Sequence, residues 1–447
     1  MKRREKIQLS DHFDDKRLLK YCLPSMAMVM LTSVYGVVDG LFVSNFVGKN
    51  AFAAINLVMP ALMILGALGL MFGSGGTALV AKTLGEKRND LANKYFSMMI
   101  ETAMIIGAIV MIVGYIFMPT IVDALGSSEL IREDAVVYGR VVILFTVAAD
   151  LQYVFQSFIN AAEKPRIGLF VTIAAGITNM VLDGLFVAIL RWGVAGAALA
   201  TGCSQIVGGI LPLLYFARKN NSLLRFRFTC IQLNIVGKAA FNGMSELMAN
   251  IASSLVSMVY NKQLMIYAQE NGVAAYGVIM YVQFIFISIL FGFTLGMAPI
   301  VSYHYGAGNI EELKNLLKRS MKLEYLGGIM MFIVAELLAS PIASVFVGYD
   351  PELMKMTVRA FRMFLFAFIL AGGNMFASSF FTSLNNGPIS AGISFLRSLV
   401  FELASVIILP RIFGLDGIWC AVAVAEMASC IVSWSFLVMK NKKYGYL

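Results

Sequence analysis

Three aspartates interrupt long apolar runs in the first half of this 447-residue chain: Asp39, Asp150 and Asp183. An ionisable side chain in apolar surroundings is costly, so each is a candidate for ion or substrate chemistry. Asn179 precedes Asp183 by one helical turn and shares its face. With the helix limits read below, Asp39 lies about seven residues from the end of the first helix. Asp183 lies about seven from the same-side end of the fifth, and Thr201 about seven into the sixth, so all three fall roughly 10 Å below one membrane surface. Two carboxylates, an amide oxygen and a hydroxyl at one depth can form an oxygen-lined site for a proton or a small hard cation. Two close carboxylates cannot both stay ionised there without a cation. Binding and release then change the local charge, which is what biases a switch between two helix arrangements. The first and fifth helices both carry Asp-Gly-Leu-Phe-Val, at 39–43 and 183–187, and a glycine after each acid permits close helix approach. The competing reading is two unrelated acids, each hydrogen-bonded within its own bundle.

The second half carries Glu246, Glu402 and Glu426 with Arg397 and His304. Buried ions are usually paired, so Arg397 is expected to neutralise Glu246 or Glu426 in a structural network that includes Glu402. The alternative is an acidic surface that attracts a cationic substrate. His304 falls near a helix end, where it suits the helix dipole better than catalysis.

These residues need elements that hold them inside a bilayer. The chain is 59% hydrophobic and 14% charged, with mean hydropathy +0.79, whereas soluble domains are about 25% charged. Apolar runs of twenty or more residues without strand-like alternation point to membrane-spanning helices. They fall near 18–46, 51–81, 92–117, 135–160, 165–190 and 194–217. After a polar linker come 238–267, 272–302, 313–340, 353–381, 388–410 and 416–439. With the amino terminus inside, cytoplasmic segments hold 25 Lys and Arg and external segments 9, Arg397 being the remaining one. The positive-inside rule thus puts both termini in the cytoplasm and makes the helix count even. The net charge of +9 is therefore a topology signal, and no nucleic acid is expected. Five cysteines show no metal-type spacing.

A shift of 221 residues aligns Ala53-Ala54 with Ala274-Ala275, Gly75 with Gly296, Gly85 with Gly306, and Gly193 to Gly196 with Gly414 to Gly417. Six helices separate the copies, so the repeats enter from the same side and relate by an axis along the membrane normal. The expected fold is all-α and polytopic, with about twelve spans in two six-helix lobes. The divisions are a cytoplasmic tail (1–17), an N-lobe (18–217), a cytoplasmic linker (218–237), a C-lobe (238–439) and a second tail (440–447).

The stretch from Pro24 through Lys94 resembles the multidrug and toxic compound extrusion (MATE) family, especially its DinF-like and MepA-like bacterial branches. The resembling features are Val-Asp-Gly-Leu-Phe-Val (38–43), Ala-Ala-Ile-Asn-Leu-Val-Met-Pro (53–60), and Gly-Ser-Gly-Gly (73–76) leading into Leu-Gly-Glu-Lys (84–87). Chain length, the repeat and Lys-Pro at 164–165 extend the likeness to the whole chain. The resemblance implies a two-lobe exporter of organic, often cationic, compounds in exchange for inward H+ or Na+, with no cofactor and no enzymatic activity. In the DinF-like branch the ion site is an Asp on the first helix, Asn and Asp on the fifth and Thr on the sixth, here Asp39, Asn179, Asp183 and Thr201. Tyr138 matches a first-lobe cavity tyrosine, and Pro24 the proline where the first helix bends. Glu246 is similar to a seventh-helix acid of the NorM-like branch, whose tenth-helix aspartate is replaced here by Asn374. With Asp150, Gln152 and Gln283, the residues Tyr138, Glu246 and Asn374 are the candidate substrate-cavity positions. The expected setting is a bacterial cytoplasmic membrane, with the bilayer and a small organic substrate as partners and a monomeric chain. The rival readings are a flippase of lipid-linked saccharides from the same superfamily, an intramembrane enzyme, or a channel.

Overall fold

The computed structural model describes residues 7–447, with every side chain in that range except those of Leu41, Ser44, Asn45 and Lys49. The first six residues of the expected tail, the side chain of the expected external Lys49 and that of Leu41 in the first Asp-Gly-Leu-Phe-Val lie outside the described residues.

No strand occurs among the described residues. The N-lobe comprises α1 (Asp15–Phe46), α2 (Lys49–Gly85), α3 (Asn89–Ala124), α4 (Glu129–Ile143), α5 (Thr146–Ala161), α6 (Pro165–Asp183) and α7 (Gly193–Ala217). The C-lobe comprises α8 (Leu233–Asn242), α9 (Met244–Gly306), α10 (Ile310–Val347), α11 (Pro351–Ser383), α12 (Gly387–Phe395), α13 (Glu402–Phe413) and α14 (Leu415–Tyr444). Local chemistry sets several starts. Asp14 caps α1 by accepting from the Arg17 N–H at 2.6 Å. Asn309 caps α10 and Asp350 caps α11, with Pro351 in the first turn, where its missing N–H costs nothing.

Twelve spans follow among the described residues. Helices α1, α2, α3, α6, α7, α10, α11 and α14 are each long and apolar enough to cross a bilayer, and α12 with α13 forms one more. Helices α4 and α5 form a broken span bent by 58°. Helix α9 supplies two: its 63 residues would reach about 95 Å if straight, three times the hydrocarbon thickness. At Gln269 the backbone leaves the helical region (φ 53°, ψ −144°). Tyr260 and Tyr276 then stack with ring centroids 5.0 Å apart, so the chain doubles back there.

Three expected boundaries shift. The linker ends earlier, because α8 is a separate short helix with Val236 and Ala239 buried. The carboxy-terminal tail folds back: α14 runs to Tyr444, and Tyr446 is buried with its hydroxyl donating to the Leu437 carbonyl at 3.0 Å. Residues 7–14 are no free tail either, since Leu9 and Phe13 are fully buried.

The repeat is visible as paired contacts about a pseudo-twofold axis. A Cβ on Gly85 would land on the Tyr303 carbonyl, and a Cβ on Gly306 on the Lys82 carbonyl, its repeat equivalent. Likewise Gly75 meets Gly243, while Gly296 meets Cys22. Only glycine lets these backbones approach so closely. All four pairs lie toward the face that carries the termini. There, apolar clusters mix the lobes: Val236 and Ala239 join N-lobe residues, and Leu9 through Cys22 join C-lobe residues. Toward the opposite face each cluster stays within one lobe. The lobes therefore meet at the terminus-bearing face and part toward the other.

Leucine at Gly85 or Gly306 is expected to wedge the closed face apart. Maleimide labelling of a cysteine at the buried interface position Ala239 should then quicken about fivefold or more; unchanged labelling would show that the close approach is dispensable.

Candidate functional site

Six N-lobe helices, α1, α2 and α4 to α7, converge on one cavity of ≈ 200 Å³. Asp39 from α1, Tyr138 from α4, Asn179 from α6 and Thr201 from α7 line it, with Gln152 from α5 and Gln205 from α7. Asp183, one turn beyond Asn179, is fully buried behind this lining. Beyond Asp183 the helix widens into a π-helical turn, Gly184–Ile189, a local distortion often found at functional sites.

The carboxyl groups of Asp39 and Asp183 lie close enough to interact with each other, and no hydrogen bond joins them. Two carboxylate oxygens have no hydrogen between them, so this contact is a bond only when a proton is shared. The Tyr138 hydroxyl lies beside both acids and Thr201. Asp39 Oδ1, both Asp183 oxygens, the Tyr138 hydroxyl and Thr201 Oγ1 are buried with no hydrogen-bond partner among the described residues. Buried polar atoms are rarely left so, and here they cluster. Among the described residues, no Lys or Arg lines the cavity. Two unit charges 4 Å apart repel by about 4 kcal/mol at an effective dielectric of 20, so full ionisation is opposed. The donors are all oxygens, a set that fits a proton or a small hard cation.

The remaining candidates separate. Tyr138 and Gln152 line the cavity with the acid pair. Asp150, expected in the substrate cavity, instead packs at a helix crossing: a Cβ on Gly69 would meet its Cα at 2.8 Å, and one on Gly107 its Oδ2 at 2.9 Å. Rotation of α5 turns Asp150 toward α2 and α3. Glu246 lies apart, against a crevice of ≈ 20 Å³ between the lobes, shared with Ser74, Thr77, Ser157 and Thr294. Gln283 sits on the second half of α9 with a buried, unpartnered Oε1.

Asn374, also expected in the cavity, belongs to the charge network. Its Nδ2 donates to the Glu426 carbonyl at 2.9 Å and to Glu426 Oε2 at 2.7 Å. Arg397 donates to the same carboxylate, from its terminal nitrogen at 2.6 Å and from Nε at 2.9 Å. Of the two partners expected for Arg397, Glu426 is the one it holds. Glu402 lies near this pair and near Tyr260 and Tyr276. Pro24 lies inside α1, below Asp39.

Sequence reasoning overlooked Glu324. It is almost fully buried on α10 and accepts from Thr294 Oγ1 at 2.8 Å. Its proximity to Lys314, Lys318, Arg319 and Lys322 made it resemble a solvated helix end. The serine and glycine one turn to either side, Ser320 and Gly328, were the available signal of a packed face.

The family comparison follows the same two repeats. The MatE family profile matches residues 24–185 and 247–408. The multidrug export protein MepA of Staphylococcus haemolyticus is 23% identical over 417 residues, covering 92% of this chain and 90% of its own. An outward-facing structure of a multidrug resistance MATE family transporter of the MOP superfamily superposes with TM-score 0.92 at 20% identity, over the whole of both chains. A MOP superfamily transporter from Pyrococcus furiosus gives 0.91 at 21% identity, over 99% of this chain and 100% of that one. At these identities the structural likeness carries the fold, and the profile carries the kinship. The doubled profile match, on a twelve-span fold with its pseudo-twofold, means that this chain is a membrane transporter of the MatE, or multidrug and toxic compound extrusion, family.

Proposed function

We propose that the protein is a secondary antiporter that exports small organic compounds, lipophilic cations foremost, in exchange for inward H+ or Na+. The closeness of Asp39 and Asp183, at a cavity that no described Lys or Arg lines, carries this reading. Repulsion within the pair is relieved by one proton or one small cation, and the relief is lost when that ion leaves. The cavity, at ≈ 200 Å³, is below the roughly 300–1,000 Å³ of a drug-sized site. The ion and one edge of a substrate fit it, and the parting between the lobes supplies the remaining room. The matched relatives are named multidrug export proteins, which supports the substrate class. The excess of Lys and Arg on the terminus-bearing face supports a cytoplasmic placement for it. The closed face then makes this an outward-open arrangement, and transport alternates it with an inward-open one in a bacterial cytoplasmic membrane.

Dye transport by the purified protein in proteoliposomes, with Na+ and pH gradients imposed separately, tests the proposal. One gradient should drive accumulation against the dye's own gradient. Equal movement with neither gradient, or with both collapsed, would rule out coupling.

The donor set also separates the two ions. Thr201→Val removes one neutral oxygen and keeps shape. If Na+ drives transport, the Na+ concentration for half-maximal rate should rise about tenfold, the value of one hydrogen-bond-strength ligand. If H+ drives it, the rate should hold within about twofold.

A further inference from the structure

The segment before α1 crosses from one lobe to the other on the terminus-bearing face. The Leu9 N–H donates to Glu163 Oε1 at 2.9 Å, in the α5–α6 turn of the N-lobe. Three residues later the segment is bound to the C-lobe. His12 Nδ1 meets Glu312 Oε2 at 2.6 Å, and the Phe13 N–H donates to Glu312 Oε1 at 3.0 Å. Asn315 Nδ2 donates to the Phe13 carbonyl at 2.8 Å, and Asp15 pairs with Arg319 at 2.6 Å and Lys322 at 2.8 Å. The His304 ring lies against the backbone of Leu9 and Asp11. Leu9 and Phe13 are fully buried among Met297, Leu313, Leu316 and Leu317 of the C-lobe.

The two attachments differ in kind. The C-lobe side combines apolar burial with several polar contacts, whereas the described polar contacts with the N-lobe are the Leu9–Glu163 bond and, where the segment runs into α1, those of Arg17 with Asp11 and Asp14. Glu163 also has φ 56°, a left-handed conformation that glutamate adopts at a cost and asparagine or glycine adopts easily. The corresponding turn of the C-lobe carries Asn385, at φ 55°. The longer carboxylate of glutamate reaches the Leu9 N–H from a backbone conformation that asparagine adopts more easily.

We propose that residues 9–15 are a clasp that keeps the lobes together on this face, with Glu312 and Asn315 as its permanent seat and Glu163 as the anchor released when the face opens. The clasp rests on the alternating-access reading above. It makes Glu163 a positioning residue of the transport cycle, remote from the ion site.

Spin labels on the exposed positions Arg88 and Lys318, one per lobe on this face, report the opening, with Cys230→Ser removing the exposed native thiol. Labels on the exposed Leu130 and Tyr349 report the opposite face. Glu163→Asn relieves the backbone strain, so folding is not endangered, and is too short to reach Leu9. It should raise the long-distance population of the first pair about three- to tenfold and shorten the second. Glu163→Gln keeps a carbonyl oxygen in reach and should restore most of the parent distribution. Amide exchange in the unmodified protein is an independent check: residues 7–14 should be protected and should open together with residues 300–308. The clasp is overturned if Glu163→Asn leaves both distributions unchanged while other conditions do open the face, or if residues 7–14 exchange like free coil. If no condition or variant opens the face at all, it is the alternating-access reading that fails.

Discussion

Asparagine in place of Asp39, or of Asp183, is expected to cut ion-driven efflux by on the order of 100-fold while leaving the protein folded. Each carboxyl is buried and lies close enough to interact with the other. Asparagine preserves size and one carbonyl oxygen but cannot gain or lose the charge. On the alternating-access reading proposed above, the lobes would keep their two arrangements, but the ion would no longer change their relative energy. Repulsion of about 4 kcal/mol between unit charges at 4 Å and an effective dielectric of 20 is comparable to the roughly 5.5 kcal/mol needed to invert a 1:99 population. Removing it should therefore remove most of the drive. Dye efflux from cells lacking their own pumps, with surface expression measured alongside, gives the result directly. Substrate binding at equilibrium should change by no more than about threefold, since the cavity keeps its shape. Wild-type efflux in both variants at normal expression would end the assignment of this pair as the coupling site.

The second large effect is structural. Arg397→Ala strips the Glu426 carboxylate of three donor contacts, at 2.6, 2.9 and 3.1 Å, and leaves it with the Asn374 amide. Breaking a buried ion pair from one side typically costs about 3–5 kcal/mol, because the abandoned charge remains desolvated. A lowered melting temperature in detergent and reduced expression are expected, with the choice between Na+ and H+ unchanged. The paired replacement Arg397→Met with Glu426→Met removes both charges and should recover most of the stability. If Arg397→Ala melts with the parent, or if the double variant is no better than the single, the network is not what holds these helices. A change of driving ion in Arg397→Ala would instead bring the network into the coupling chemistry.

The contrast between the two clusters explains what could be read without coordinates. In a bilayer an acid is expensive wherever it sits, so one inside an apolar run stands out in the bare sequence, whereas one beside several cations, such as Glu324, does not. Depth is also legible, because helix rise is constant and the polar punctuation marks the surfaces. Asp39, Asn179, Asp183 and Thr201 could therefore be grouped by depth alone, and the structure brings them together. Azimuth is not legible in that way. Asp150 shares the N-lobe with the pair, yet α5 presents it to Gly69 and Gly107. Asn374 faces Glu426 rather than open space, because α11 is turned toward α14.

From the sequence alone came the lipid environment, the all-helical class, the twelve spans, the repeat and the candidate acids, since composition, period and the cost of buried charge are properties of single segments. The tertiary structure alone decided the rest: the reversal of α9 at Gln269, the face on which the lobes close, the partner of Arg397 and the burial of residues 7–14. Each of these depends on how one helix is rotated and how closely a distant one can approach. That is settled by pairs of surfaces such as Gly85 against Tyr303, whose two halves lie more than two hundred residues apart in the chain.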